Sequence, residues 1–180
     1  MSFAGGRHSP VSVVRGFSAD GQPTTDNEMK PLQTTTKEVL RDAILSEDAT
    51  RGFYQKLAER AATPEVRKKL LSLADGELVH RAKLESKYRA MFKEEPPAPR
   101  PVNVEIGNDA ENLDMARAMK IAMERERDSE SDYRFLAERV PDTELGALFL
   151  ELAEIEWKHK VDLQNEYLAA SGPDQFLMDI

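Results

Sequence analysis

The sequence contains no cysteine among its 180 residues. Without cysteine, disulfides, Cys-ligated zinc sites, Cys-ligated iron–sulfur centres and thiol catalysis are all excluded. The sequence also has no apolar run near the roughly 18 to 20 residues that a membrane-spanning helix requires. The first ten residues hold no continuous apolar stretch, so a signal peptide is not expected. A cytoplasmic location is therefore the expectation.

The chain has no excess of basic residues either. It carries 25 Lys and Arg against 33 Asp and Glu, which gives a net charge of −8. This balance argues against a nucleic-acid-binding protein, because such proteins present a basic patch to the phosphates. Charged residues make up 32% of the chain, so we expect a well-solvated surface around a single domain.

Composition divides the chain into a central region and two tails. Residues 1–33 are rich in small and polar residues and show no sustained period, which indicates a tail that is flexible or docked on a partner. Residues 34–172 carry helical periodicity and form the predicted domain. Gly172 and Pro173 mark the end of the last helix, and residues 173–180 form a short C-terminal tail.

The central region predicts an all-α fold of two helical hairpins, 34–92 and 110–171. In the first hairpin, one helix runs from Thr35 to Ala62 and the next from Pro64 to about Phe92. In the second, one helix runs from about Ala110 to Arg139, and another follows Pro141 and ends near Ser171. Residues 93–109 link the hairpins and contain four prolines, so they cannot be helical. Seventeen extended residues reach about 53 Å. A helix of about 28 residues is about 42 Å long, so the linker can cross the whole bundle.

The two hairpins repeat each other in sequence. Residues 43–88, shifted by 79 positions, align with residues 122–167, and 15 of the 46 pairs are identical. Repeats are informative because equivalent positions adopt equivalent structures. The identical positions include two Glu-x-x-His motifs and two Glu-x6-Tyr motifs: Glu77/His80, Glu156/His159, Glu47/Tyr54 and Glu126/Tyr133.

The four glutamates of these motifs lie on the apolar stripes of their helices. Each predicted helix thus places one carboxylate on its buried face at mid-length, and two helices add a histidine one turn later. Buried carboxylates without a positive partner cost several kcal/mol or more each. No Lys or Arg lies on the stripes beside them. Two divalent cations would balance the four carboxylates, and such a ligand set is typical of di-iron or di-manganese carboxylate bundles.

The tyrosines of the repeat leave two interpretations open. Tyr54 and Tyr133 lie two turns from Glu47 and Glu126 on the same face. Their hydroxyls either hydrogen-bond metal-ligating carboxylates of the facing hairpin, or the rings pack in the core with an incidental hydroxyl partner.

These motifs resemble those of the ferritin-like di-iron proteins, and most closely the rubrerythrin-like branch. The resemblance extends over about Thr35 to Ala170 and implies a ferritin-like four-helix bundle of two αα-hairpins with one long crossover. It also implies two iron ions per chain, with manganese or a mixed metal pair as an open choice. It implies that Glu47 and His80 are terminal ligands of one iron, and that Glu126 and His159 are terminal ligands of the other. Glu77 and Glu156 would bridge the two irons.

The chain departs from the resembled families at three points. Rubrerythrins usually append a rubredoxin domain with Cys-ligated iron, which a chain without cysteine cannot have, so the electron donor must be a separate molecule. Ser129 stands where rubrerythrins tend to carry an extra carboxylate, which leaves the four-Glu, two-His set also found in bacterioferritin. Leu78 stands where bacterioferritin has its haem-ligating Met, so no haem is expected.

The resemblance implies a non-haem di-iron oxidoreductase that reduces hydrogen peroxide. One alternative is a ferroxidase or iron-handling protein that oxidises ferrous iron, which the serine at position 129 favours. Another is a structural or cargo protein that binds metal, which the two tails favour. The expected small-molecule oxidant is hydrogen peroxide or dioxygen, and a homodimer is the expected assembly.

Overall fold

The computed structural model describes residues 35–99 and 112–171, and within these ranges the chain forms four helices. They are α1 (Thr36–Glu59), α2 (Pro64–Phe92), α3 (Met115–Ala137) and α4 (Thr143–Ser171). The predicted all-α four-helix bundle is confirmed. The predicted tails and most of the predicted linker lie outside the described residues. None of the described helices is long and apolar enough to cross a membrane.

Side-chain caps define where the helices begin. Thr35 and Glu38 form a capping box at the start of α1, and the Thr63 hydroxyl accepts a hydrogen bond from the Val66 amide at the start of α2. Asp114 caps α3 in the same way. Each cap satisfies backbone N–H groups that have no partner inside the helix.

Two predicted helix boundaries are wrong by a few residues. The first helix was expected to continue to Ala62 and the third to begin near Ala110, but α1 ends at Glu59 and α3 begins at Met115. The backbone of Leu113 explains both differences. Its N–H donates to the Arg60 carbonyl at 2.8 Å, and its carbonyl accepts from the Ala62 N–H at 2.8 Å. These backbone groups pair with each other instead of continuing the helices.

Contacts between helix ends fix the topology. Lys87, near the end of α2, contacts Glu144 at the start of α4 at 2.8 Å, so these two helices run antiparallel. The hydrogen bonds of Leu113 place the start of α3 beside the end of α1, and therefore beside the start of α2. The end of α2 and the start of α3 consequently lie at opposite ends of the bundle. The single long crossover predicted from the linker length is present.

The core consists of two apolar clusters. One surrounds Tyr54, Leu70 and Leu163, and the other surrounds Ile44, Leu84 and Phe149. The buried glutamates occupy helix positions between the residues of these clusters. The bundle therefore has a polar layer within an otherwise apolar interior.

Candidate metal centre

Each helix contributes one buried carboxylate to the polar layer. The exposed fractions are 4% for Glu47, 3% for Glu77, 1% for Glu126 and 0% for Glu156. The helical spacing that placed these residues on the apolar stripes explains their burial. Four carboxylates in one interior require compensating positive charge, because desolvation strongly disfavours the ionised form.

One group of ligand atoms gathers around His80. Its Nδ1 lies 3.0 Å from Glu156 Oε1, 3.2 Å from Glu77 Oε2 and 3.5 Å from Glu47 Oε2. One ligand atom from each of these four residues lies within 4.8 Å of the others. Three helices, α1, α2 and α4, thus bring nitrogen and oxygen ligands to one point.

A second group gathers around His159. Its Nδ1 lies 3.2 Å from Glu126 Oε2 and 3.3 Å from Glu156 Oε2. Glu156 therefore directs one carboxylate oxygen to each histidine, which is the arrangement of a bridging ligand. The rings of His80 and His159 lie nearly parallel, with centroids 5.7 Å apart and planes 16° apart. The structure thus brings all six sequence-predicted ligand residues into two adjoining groups.

Two tyrosine hydroxyls bind the centre from opposite hairpins. Tyr54 donates a hydrogen bond to Glu126 Oε1, and Tyr133 donates one to Glu47 Oε1. Burial, followed by the neighbouring carboxylates, raises the pKa of both tyrosines well above the usual value. The hydroxyls therefore keep their protons and act as hydrogen-bond donors. Of the two interpretations left open by the sequence, the structure shows the hydrogen bonds to the facing hairpin.

Two oxygens of the centre provide a direct test of whether metal ions fit it. Glu47 Oε2 and Glu156 Oε1 are buried and accept no hydrogen bond. They lie 3.5 Å and 3.0 Å from His80 Nδ1. An unpaired buried carboxylate oxygen is costly, whereas a metal ligand needs its lone pairs free. Carboxylate oxygen and imidazole nitrogen both suit iron and manganese, so the residues fit the metals that the sequence predicts.

The carboxylates have perturbed proton affinities. Burial raises the pKa of Glu77 well above its usual value and raises that of Glu126 to about 7. Glu156 differs: burial is the largest influence and opposes ionisation, but its close contacts with His159 and His80 hold its pKa well below the usual value. The bridging carboxylate is therefore the one kept ionised.

Both histidines are held in the protonated form by these carboxylates. Hydrogen bonds to Glu126 and then Glu156 raise the pKa of His159 to about 9. Burial lowers the pKa of His80, but contacts with Glu156 and its neighbours outweigh burial and raise it to about 12. Protons on the two rings thus supply positive charge that bound cations would replace.

The structure also shows the position at which rubrerythrins tend to carry an extra carboxylate. Ser129 is half-buried, and Glu130, the next residue, forms ion pairs with Lys160 at 2.6 Å and Arg134 at 3.1 Å. Both oxygens of Glu130 are thus held by cations. The carboxylates gathered at the histidines are the four predicted ones.

One buried ion pair beside the centre was not anticipated from the sequence. Arg81 follows His80 and is buried with Asp48, to which it donates a hydrogen bond. Its other terminal nitrogen donates to the Pro97 carbonyl of the crossover at 2.8 Å. The repeat gave no indication of this pair, because the equivalent residues are Arg127 and Lys160. The contact with Pro97 ties this pair to a segment outside the repeat.

Comparisons with known proteins agree with this geometry. A protein-family model described as rubrerythrin matches residues 38–167. Among solved structures, a hypothetical protein from Pyrococcus furiosus is 30% identical to this chain, with a TM-score of 0.56. The alignment covers 77% of this chain and 91% of the Pyrococcus chain. Among curated proteins, none matches the chain significantly.

Proposed function

Because this chain belongs to the rubrerythrin family of ferritin-like di-iron proteins, we propose that it reduces hydrogen peroxide at a two-iron centre. The observation that carries the proposal is the position of Glu156, which directs one oxygen to each of two parallel histidines. A bridging carboxylate between two imidazoles fits a pair of metal ions better than a single ion.

Each metal position would use ligands from both hairpins. The first would be held by Glu47, Glu77 and His80, and the second by Glu126 and His159, with Glu156 shared between them. The resemblance implies that Glu77 also bridges, but within the described residues the histidine that it contacts is His80, so we assign it to the first position. The Tyr54 and Tyr133 hydroxyls hold the carboxylates of Glu126 and Glu47 in place from the opposite hairpin. Closing of the bundle around the ligands keeps bulk water from most of the centre.

Two bound ferrous ions would supply one electron each, which together with two protons convert hydrogen peroxide into two water molecules. Each turnover then requires two electrons from a donor. The chain has no cysteine and so no Cys-ligated relay of its own, which makes a separate reductant part of this proposal.

A ferroxidase that oxidises ferrous iron is the second candidate function. It is favoured by Ser129 and Glu130, since neither adds a fifth carboxylate to the ligands around the histidines. The resulting set of four Glu and two His comes in equal parts from the two repeated hairpins. In this case ferrous iron is the substrate as well as the occupant of the centre.

Rapid mixing distinguishes the two functions. The protein is loaded anaerobically with two ferrous ions per chain and mixed with hydrogen peroxide or dioxygen, while ferric absorption is followed. Peroxide reduction predicts much faster oxidation by peroxide and sustained turnover once a reductant is added. Equal rates with dioxygen, together with continued consumption of added ferrous iron, would establish the ferroxidase instead. A chain that binds no iron would refute both.

A further inference from the structure

The two histidines of the centre differ in exposure, although the repeat places them at equivalent positions. The His80 side chain is 3% exposed, whereas that of His159 is 31% exposed. Each histidine follows a buried glutamate by three residues on its own helix. The cause of the difference must therefore lie in the side chains around them.

The neighbour of His159 on α2 is a glycine. A Cβ atom added at Gly76 would lie 3.8 Å from His159 Cε1, so a side chain at this position would contact the imidazole ring, and glycine leaves that space free. The repeat-equivalent residue on α4 is Ile155, which is partly buried and packs against the apolar cluster around Phe149. The repeat thus places a branched side chain on α4 at the position where α2 has only a glycine.

The residues that follow the histidines increase the difference. Arg81 is buried, pairs with Asp48 and binds the crossover at Pro97, so this connection lies against α2 next to His80. Its equivalent Lys160 is half-buried and pairs with Glu130. Within residues 35–99 and 112–171, the His80 half is therefore covered by a segment from outside the repeat, whereas Lys160 beside His159 contacts a residue of the repeat itself.

We propose that Gly76 leaves an opening over His159 through which metal ions enter and leave the position formed by Glu126, Glu156 and His159. The position formed by Glu47, Glu77 and His80 is enclosed and exchanges its ion slowly. The inference rests on the proposed two-metal function, but it assigns different roles to the two metal positions, whose ligands come from repeated motifs. Gly76 has no side-chain atom that could bind a metal, and its proposed role is to leave the approach to His159 unobstructed.

Chemical labelling tests the opening without reference to catalysis. The full chain, metal-loaded and metal-free, is exposed to a short pulse of hydroxyl radicals, whose attack on the ring depends on solvent access, and oxidation of each histidine is followed by peptide mass spectrometry. Since a buried ring reacts only when the structure opens locally, exposures of 31% and 3% predict that His159 reacts on the order of tenfold faster than His80. Equal rates at the two histidines would overturn the proposal.

A substitution at Gly76 tests the cause. Gly76→Ile introduces the residue found at the equivalent position, and we expect it to slow oxidation of His159 several-fold with no change at His80. Ala82→Ile adds the same side chain at an exposed site on α2 and serves as the control. If Gly76→Ile fails to fold, Gly76→Ala replaces it, because its Cβ fits at 3.8 Å, and it should slow labelling of His159 to a smaller extent. Unchanged labelling in a folded variant would overturn the proposal.

Metal release provides the second measurement. The chain is loaded with two Co²⁺ per protein and mixed with excess EDTA, and loss of the Co²⁺ absorption is followed. We expect a fast and a slow phase of equal amplitude, with only the fast phase slowed by Gly76→Ile. A single phase, or a fast phase that the variant leaves unchanged, contradicts the inference. Two-metal binding with this behaviour but without peroxide turnover would instead refute only the proposed function.

Discussion

Tyr54 of the first hairpin donates its hydroxyl hydrogen bond to Glu126 of the second hairpin, 72 positions further along the chain. The repeat supplies the reciprocal bond from Tyr133 to Glu47. Each hairpin therefore fixes a carboxylate of the other, and the two bonds link the hairpins at the proposed metal centre. The orientation of the terminal carboxylates depends on both halves of the chain.

Tyr54→Phe should weaken metal binding without unfolding the bundle. The substitution removes the donor to Glu126 Oε1 and frees that carboxylate to rotate. Loss of a hydrogen bond to a metal ligand typically costs about 10- to 100-fold in metal affinity. Anaerobic titration with Mn²⁺ measures the change. Tyr88→Phe, at a buried tyrosine in the apolar cluster around Phe149, is the control and should leave the affinity within about twofold.

Glu156→Gln should affect both metal positions, because its two oxygens serve different histidines. We expect binding to fall from two tightly bound ions per chain to one or none, measured by equilibrium dialysis with metal analysis. Glu154→Gln changes an exposed carboxylate on the same helix, which contacts Lys158 at 3.8 Å, and should retain both ions. Retention of two tightly bound ions by Glu156→Gln would contradict its assignment as a bridge.

Metal binding should strengthen as the pH rises from 6 to 9. In the protein without metal, the pKa of Glu126 is about 7 and that of His159 about 9, so protons occupy ligand atoms at neutral pH. A divalent ion must displace these protons, and the competition weakens as they dissociate. Isothermal titration calorimetry in buffers of different ionisation enthalpy measures the released protons. Affinity that is independent of pH would count against these two ligands.

The same groups give the metal-free protein the opposite pH dependence. Both pKa values are raised on folding, from 4.5 for Glu126 and from 6.5 for His159. The folded state then holds more protons than the unfolded state, and its stability declines as the pH rises through about 4.5 to 9. Thermal unfolding with and without Mn²⁺ should therefore show a stabilisation by metal that increases with pH.

Asp48→Ala should destabilise the fold by about 3 kcal/mol, because it leaves the buried guanidinium of Arg81 without its main partner. The loss of stability is limited because Arg81 keeps its ion pair with Glu85, at 2.9 Å. Chemical denaturation measures the free energy of unfolding. Asp42→Ala removes an exposed carboxylate of the same helix and should change it by less than about 0.5 kcal/mol. Equal effects of the two variants would show that the buried pair contributes nothing beyond a surface contact.

The sequence predicted the ligand set because the paired ligands lie on neighbouring turns of one helix, where helical periodicity shows which residues share a face. The repeat then shows the same pattern a second time. Glu77 and His80 are three residues apart, so their common face follows from the backbone alone. The ends of the helices were less accurate. Leu113 sets the end of α1 and the start of α3 through hydrogen bonds that join distant parts of the chain. No local sequence pattern indicates these bonds.

By itself, the sequence determined the four helices, their buried faces and the six residues that meet in the interior. Tertiary structure alone decided how the two halves differ. The repeat treats His80 and His159 as equals, yet the structure gives them exposed fractions of 3% and 31%, and we propose that the crossover bound by Arg81 and the glycine at position 76 cause the difference. Periodicity reports which face of a helix is buried, whereas access to a buried ligand depends on what a neighbouring helix places against it.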